Sequence, residues 1–321
     1  MERKERKNNP GLQSGERKEK KNNPGLQSVE RKEKKNNPGL QSGEYMKRTI
    51  LLFTISLLLF SCIRFGKRVV ESPEYLTVMT YNIHHGVGAD GVFDLDRIAD
   101  LIRESGVDLV ALQEVDVKTE RVHGLHTMQY LAEKLDMEWV FGQNLSFQGG
   151  GYGNGILSGY PIESWTNDHF SPFNEGEQRG LLQTVIRYKG GSIAFWNTHL
   201  DHRQDDTERR QSATTILQKA GLVTLPLVIA GDFNDVPESP AIRTITQCFR
   251  DSWHETGKDP GLTYPSQAPE KRIDYIFYRL YPDSHFRLKP VKSILLKSSA
   301  SDHLPVVVVY KILPNSQRLP S

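Results

Sequence analysis

Cysteine is nearly absent from the chain: Cys62 and Cys248 are the only two among 321 residues. That excludes a small scaffold stapled by disulfides and leaves the fold to rest on a hydrophobic core. Long apolar runs are also missing. The most apolar stretch, Ile50 to Phe60, is shorter than the roughly 18 to 20 residues a bilayer-spanning helix requires. Excess positive charge is confined to the beginning. Residues 1–62 hold 14 of the 41 basic and 7 of the 39 acidic side chains, which leaves 27 against 32 and a net charge of −5 over residues 63–321, histidines neutral. That balance offers no broad basic surface for holding nucleic acid through many phosphate contacts. After Tyr75 no linker-like stretch interrupts the chain, so the remainder reads as one domain of about 240 residues.

The beginning has its own organisation. Three near-identical copies of "ERKEKKNNPGLQS" follow one another at a spacing of 14 residues from Glu2 to Gly43. They are too short for a solenoid unit and carry almost no large apolar side chains, so residues 1–45 are expected to be disordered or untranslated. From Met46 the chain reads "MKRTILLFTISLLLFSC". Lys47 and Arg48 form a basic n-region ahead of the apolar core, the pattern of a secretory signal. Leu59-Phe60-Ser61-Cys62 resembles a bacterial lipoprotein processing site. Residues 46–62 are thus expected to direct export, with Cys62 lipidated on a membrane facing the periplasm or exterior, and residues 63–321 to form a monomeric exported domain. A plain signal peptide or a short buried helix is the alternative for this segment.

From Tyr75 onward short apolar strands alternate with amphipathic helices. "FDLDRIADLIRESG" places Leu95, Ile98, Leu101 and Ile102 on one helical side, with Asp94 suited to the N-cap and Gly106 to the stop. Helices are also expected near His126–Leu135, over "TERRQSATTILQKAG" behind Asp205 or Asp206, and near Ser239–Gln247. The strands share a habit: they end in polar residues, at "YNIHH", "LQEVD", "NTHLDH" and "AGDFND". In "LPLVIAGDFNDVP" the run Leu227–Ala230 reads as a strand covered on both faces. Alternation then sends Asp232 and Asn234 to one side and Phe233 to the other. An Asx turn closing the strand accounts for the same residues. Repetition of the habit at several strand ends points to a site on one rim of a sheet.

Taken in order, "TYNIHHG", "LQEVD", "YGNGILSGYP", "NTHLDH", "GDFND", "RIDYIFY" and "SDHLPV" resemble the endonuclease/exonuclease/phosphatase superfamily over essentially all of Tyr75 to Leu313. The resemblance implies a four-layer α/β sandwich, two mixed β-sheets packed face to face and flanked by helices. It also implies hydrolysis of phosphate esters with Mg²⁺ or Mn²⁺. By resemblance Asp232 is the water-orienting carboxylate, and Asn234 reaches the same phosphate. His303 matches the histidine on the scissile phosphate, oriented by Asp274. His199 matches a second phosphate-side histidine, and Asn154 an amide facing the phosphate. Glu114 is the leading metal ligand, completed or supported by Asn82 and Asp302.

Chemistry read from the residues agrees. Phosphoryl transfer to water requires neutralised phosphoryl oxygens, an activated water and help for the departing oxygen. Carboxylate donors suit Mg²⁺. A zinc cluster of histidines is disfavoured, because no cysteine joins them and carboxylates dominate. Arg179 can clamp a phosphate through its bidentate fork, or form a surface salt bridge. His84, His85 and His202 either line the pocket or are satisfied structural histidines. Substrate shape is expected to be read by loops at Gln143–Tyr152 and Thr166–Glu177. The expected substrate is a small molecule, lipid headgroup or sugar phosphate, in diester or monoester linkage. A secreted or surface nuclease acting on DNA or RNA is the alternative, and an inert binding module of the same fold the third reading.

Overall fold

The computed structural model describes residues 74–281 and 284–314. The tandem repeats, the export leader and Cys62 lie outside them. The described chain runs β1 (Tyr75–Asn82), α1 (Leu95–Ser105), β2 (Leu109–Val117), α2 (Thr127–Leu135), β3 (Glu138–Phe147), β4 (Gly150–Ser158), β5 (Ile162–His169), β6 (Gly180–Tyr188), β7 (Gly191–His199), α3 (Thr207–Ala220) and β8 (Leu227–Asp232). It continues through α4 (Pro240–Ile245), β9 (Arg250–Asp251), α5 (Ser252–Thr256), β10 (Asp274–Arg279), β11 (Phe286–Leu295) and β12 (Val306–Pro314).

Period-2 alternation gives each central strand two apolar faces, and both must be covered. One six-stranded sheet has the order β11-β12-β1-β2-β4-β3, the other β5-β6-β7-β8-β10-β9. A parallel pair sits inside each, β1 with β2 and β7 with β8. The crossovers α1 and α3 supply the helices such parallel pairs require. Leu76, Val78, Leu109 and Ala111 from the first sheet meet Phe195, Val228, Ala230 and Ile276 from the second. On the far side of the first sheet Met79, Val110 and Leu112 pack with Ile98 and Ile102 of α1 and Met128 and Leu131 of α2. On the far side of the second, Ala194, Ile229 and Phe277 pack with Ala213 and Ile216 of α3 and Ile242 of α4. The layers therefore run helix, sheet, sheet, helix. Each large apolar side chain buried there contributes about 1.5–3 kcal/mol.

The inward rows change character along their length. They read Leu76, Val78, Thr80, Asn82 on β1, and Ile193, Phe195, Asn197, His199 on β7, all buried. On β2 and β8 they read Leu109, Ala111, Gln113 and Val228, Ala230, Asp232. One end of the inter-sheet core is thus apolar and the other polar. The carboxyl ends of four parallel-paired strands meet at the polar end.

Helix ends follow their local chemistry. Asp94 accepts hydrogen bonds from the Asp96 and Arg97 backbone N–H groups, and Gly106 leaves α1 at φ 61°. At α3, Asp206 is the N-cap residue but makes no side-chain cap bond, whereas Asp205 accepts the Thr207 N–H at 2.8 Å.

Two segments expected to be loops are strands. Residues 143–152 lie largely in the β3–β4 hairpin, turned by Gln148 and Gly149 at φ 43° and 76°. Residues 166–169 belong to β5, and a loop begins only after His169. β5 and β11 are edge strands that gave no clear pattern in the sequence. Most of β5 is at least partly exposed, and Pro290 interrupts β11, which an edge tolerates because no ladder bond is lost there.

Gly231 stands opposite Thr198 in the parallel β7–β8 pair. A Cβ there would lie 2.1 Å from the Thr198 carbonyl oxygen, and that oxygen is fixed backbone. Gly231→Ala should therefore lower unfolding stability by about 1–3 kcal/mol through overpacking. A urea midpoint unchanged from the parent would contradict this reading of the strand pair.

Candidate active site

Asp232 ends β8 and turns inward at the seam between the sheets. Its Oδ2 accepts a hydrogen bond from Asn82 Nδ2 at 3.0 Å and has His199 Nε2 at 3.6 Å and His303 Nε2 at 3.7 Å. Its Oδ1 accepts the Asn234 backbone N–H at 2.9 Å. That bond is an Asx turn, so the turn and the site are made by the same residues. Asn234 follows at φ 49° and sets its amide 3.0 Å from His199 Nε2. Phe233 goes the other way, fully buried against Tyr275 and Phe277.

Glu114 reaches the same place from β2 through a bulge. The β2–β4 register shifts between Leu112 and Val115, and Glu114 sits at φ 57°. A bulge re-aims a side chain, and a non-glycine residue held in the left-handed region costs on the order of 1–3 kcal/mol. Asn82 Nδ2 also donates to Glu114 Oε1 at 3.0 Å. The Asn82 oxygen is occupied by the His84 N–H at 3.0 Å, so this amide turns its nitrogen to both carboxylates. Asn82, expected to complete or support the metal site, turns its nitrogen and not its oxygen to the carboxylates and supports the site by positioning Glu114 and Asp232.

His303 is held from two sides. Its Nδ1–H donates to Asp274 Oδ2 at 2.9 Å, and its backbone N–H donates to Ser301 Oγ at 3.2 Å. Ser301 Oγ in turn donates to the Asn82 carbonyl at 2.7 Å, fastening the "SDH" turn to β1. His199 has a different neighbour: Arg179 places a guanidinium nitrogen 3.0 Å from His199 Nδ1. A guanidinium only donates. Asn234 Nδ2, which also donates to the Leu200 carbonyl at 3.1 Å, stands 3.0 Å from His199 Nε2, so both ring nitrogens of His199 face donors, and Nε2 lies 3.6 Å from Asp232.

These surroundings drive the two imidazoles apart. Burial alone disfavours the His303 cation, but the charges of Asp274 and Asp232 and the Asp274 hydrogen bond outweigh it and push His303 up to about 10. Burial and the Arg179 charge hold His199 well below the ordinary histidine value. Burial, with the Asp274 charge behind it, raises Asp232 to about 7. Burial also opposes the Glu114 carboxylate, yet His85, the Asn82 hydrogen bond and the His303 charge hold it well below the usual range.

A cleft of about 460 Å³ opens over this group. Glu114, Arg179, His199, Asp232, Asn234, Asp302 and His303 line it, as does His202. Asn82 and Asp274 lie behind the lining and act through the residues they hold. Asn154 is buried beside it, donating to the Gly180 carbonyl at 3.3 Å with its own oxygen unpartnered. Arg179 is buried, not a surface residue, and pairs with Glu177 at 3.0 Å.

The sequence reading missed a polar layer beneath the cleft. Gln113 Nε2 donates to Asn197 Oδ1 at 2.7 Å, and Asn197 Nδ2 donates to the carbonyls of Leu112 and Gly155 at 2.8 and 2.7 Å. Both residues lie inside motifs already noted, and alternation points them inward. Tyr152, Glu177, Tyr264 and Lys271 also line the cleft. Tyr264 and Lys271 come from an aperiodic stretch that carried no signal.

Comparison with known proteins agrees with this geometry. The profile of the Endonuclease/Exonuclease/phosphatase family matches residues 79–303, and the chain belongs to that family. It is similar to YbhP of Escherichia coli (strain K12), itself uncharacterized, with 29% identity over 241 residues, 71% of this chain and 93% of that one. Among solved structures, an endonuclease/exonuclease/phosphatase from Beutenbergia cavernae DSM 12333 superposes with TM-score 0.59 at 27% identity, covering 74% of this chain and 72% of that one. Mannosyl-6-phosphatase Bt3783 of Bacteroides thetaiotaomicron VPI-5482 gives 0.61 at 19% identity, covering 74% and 99%. D. rerio TDP2 complexed with a single-strand DNA product gives 0.59 at 18% identity, covering 74% and 99%. At these identities the last two likenesses speak for the fold alone.

The raised pKa of His303 makes a signed prediction. Its pairing with Asp274 stabilises the metal-free fold fully below about 6.5, the value of an unfolded histidine. That contribution fades as pH rises toward about 10. Asp274→Asn should lower stability near neutral pH, and the His303 imidazole should then titrate at lower pH in NMR. An unmoved His303 titration would contradict the Asp274–His303 pairing.

Proposed function

We propose that the protein is a divalent-metal-dependent phosphoesterase acting on a small phosphorylated substrate. The observation that carries this reading is the convergence on Asp232 Oδ2 of Asn82, His199 and His303, beside Glu114, in an open cleft. Glu114 and Asp302 offer hard carboxylate oxygens to that cleft, and the neighbours of Glu114 keep it ionised. Such donors fit Mg²⁺ or Mn²⁺, and Glu114 and Asp302 would hold the ion. When bound, it would neutralise phosphoryl oxygens.

The chain's own groups divide the remaining work. Asp232, raised toward neutrality, takes a proton from the attacking water, which suits a general base near its operating pH. His303 is cationic at neutral pH and donates from Nε2 to a phosphoryl oxygen, with Asp274 fixing its ring. His199 is neutral and is positioned with Asn234 toward the phosphate or the leaving oxygen. Arg179 holds the His199 ring at Nδ1 and adds positive charge at the wall.

Cleft size and charge favour a small substrate. A volume of about 460 Å³ is that of a small-ligand site. Arg179 and Lys271 are the only arginine and lysine in its lining, few for tracking a polynucleotide backbone. A sugar phosphate or a lipid headgroup fits these limits. Export and lipid attachment through Cys62 belong to the same proposal and are supported by the leader sequence from Met46.

Purified protein should hydrolyse bis-p-nitrophenyl phosphate or a phosphomonoester with Mg²⁺ or Mn²⁺ and lose the activity in EDTA. Asp232→Asn and His303→Ala should each lower turnover by at least about 10²-fold. Near-parental rates in either variant would refute its role. Parallel assays on sugar phosphates, phospholipid headgroups and single- and double-stranded DNA decide the substrate class, and preference for DNA would establish a nuclease instead.

A further inference from the structure

Beside Glu114 the turn His84-His85-Gly86 forms a second layer of donors. His85 Nδ1 lies 3.9 Å from Glu114 Oε2, is buried, and has no hydrogen-bond partner. The two histidine rings meet edge-on with centroids 4.5 Å apart. One ligand atom from each of His84, His85 and Glu114 can be chosen so that all three lie within 4.8 Å of one another. His84 Nδ1 is 3.1 Å from the Val87 carbonyl, which can only accept, so its proton is on Nδ1 and the Nε2 lone pair is left for another partner. A ring proton committed to a backbone carbonyl is the usual support of a metal-bound imidazole.

The backbone agrees with a built site. His84 and His85 are both at φ 44° and Glu114 at φ 57°, so all three donors are held in the left-handed region that side chains with a Cβ avoid. Strain of this kind gathers where a particular side-chain direction is required. The buried His85 nitrogen faces the Glu114 carboxylate at 3.9 Å, a separation longer than a hydrogen bond.

We propose that His85 and His84 bind the same cation as Glu114, giving a mixed nitrogen and oxygen centre that selects a first-row transition-metal dication over Mg²⁺. Two ligand atoms 3.9 Å apart are spanned by an ion about 2.0–2.2 Å from each. Imidazole donors suit Fe²⁺, Ni²⁺ and Zn²⁺, and Mn²⁺ stands between these and Mg²⁺, which retains oxygen ligands and water. This deepens the metal-dependent reading of the preceding subsection and rests on it.

Mn²⁺ is the probe, because its unpaired electrons report directly on bonded nitrogen. Pulsed EPR of the full chain loaded with Mn²⁺ should show ¹⁴N modulation from imidazole, diminished in His85→Asn and abolished in the double variant His84→Asn/His85→Asn. Mn²⁺ affinity in His85→Asn should fall at least about tenfold, a scale reached even when an outer partner of a metal ligand is removed. Mg²⁺ affinity should change little. Circular dichroism checks that the variants fold, and the parental spectrum carries the test without them. Mn²⁺ bound in a Glu114-dependent way but without ¹⁴N modulation would overturn the histidine ligation and leave the phosphoesterase reading standing. Absence of any Mn²⁺ binding to the parent would overturn both.

Discussion

One side-chain amide, that of Asn82, holds together what the rest of the site depends on. It donates to Glu114 from its own sheet and to Asp232 from the opposing one, each at 3.0 Å. Two carboxylates brought this close repel each other, and burial makes the repulsion stronger. A neutral donor between them permits the approach without cancelling either charge. Its backbone carbonyl takes the Ser301 hydroxyl, which places the loop carrying His303. The sheets are joined again below by Gln113 and Asn197, so the polar end of the core has bonded donors and acceptors across the seam. Such a network fixes geometry only when its members are satisfied.

The same carboxylate faces two imidazoles in opposite states. Asp274 makes His303 a cation, and Arg179 helps keep His199 neutral, although both direct Nε2 toward Asp232 Oδ2. Environments that separate the pKa values of paired groups assign them different tasks. A cationic donor for phosphoryl charge and a neutral ring for the leaving side are the two tasks ester hydrolysis at phosphorus sets. The low, hydrogen-bonded Glu114 is the third part, a carboxylate kept ionised for a cation.

Much of this was legible in the sequence because strand alternation is a strong rule. The polar ends of β1, β2, β7 and β8 placed Asn82, Glu114, His199 and Asp232 on one rim, and the helix at Leu95–Ser105 began and ended where Asp94 and Gly106 put it. What escaped was set by tertiary pairing. β5 gave no hydrophobic pattern because most of its residues are exposed in part, and β11 was obscured by Pro290, tolerable only at an edge. The glycine-rich stretch before Asn154 read as a loop, whereas its glycines allow close approach within a hairpin; at Gly153 a Cβ would meet the Gly142 carbonyl at 2.0 Å. Tyr264 and Lys271 join the cleft through loop geometry that no local period encodes. The unpartnered nitrogen of His85 is a property of packing, invisible in the letters "HH".

The central claim is that groups from both sheets converge on one cation and one phosphate. Crystals grown with Mn²⁺ and inorganic phosphate test it most directly through anomalous diffraction. The account predicts one manganese peak bonded to the Glu114 carboxylate, with the phosphate between that ion and the side chains of Asp232 and His303. Manganese bonded elsewhere and absent from Glu114, or phosphate outside this cleft, would contradict it.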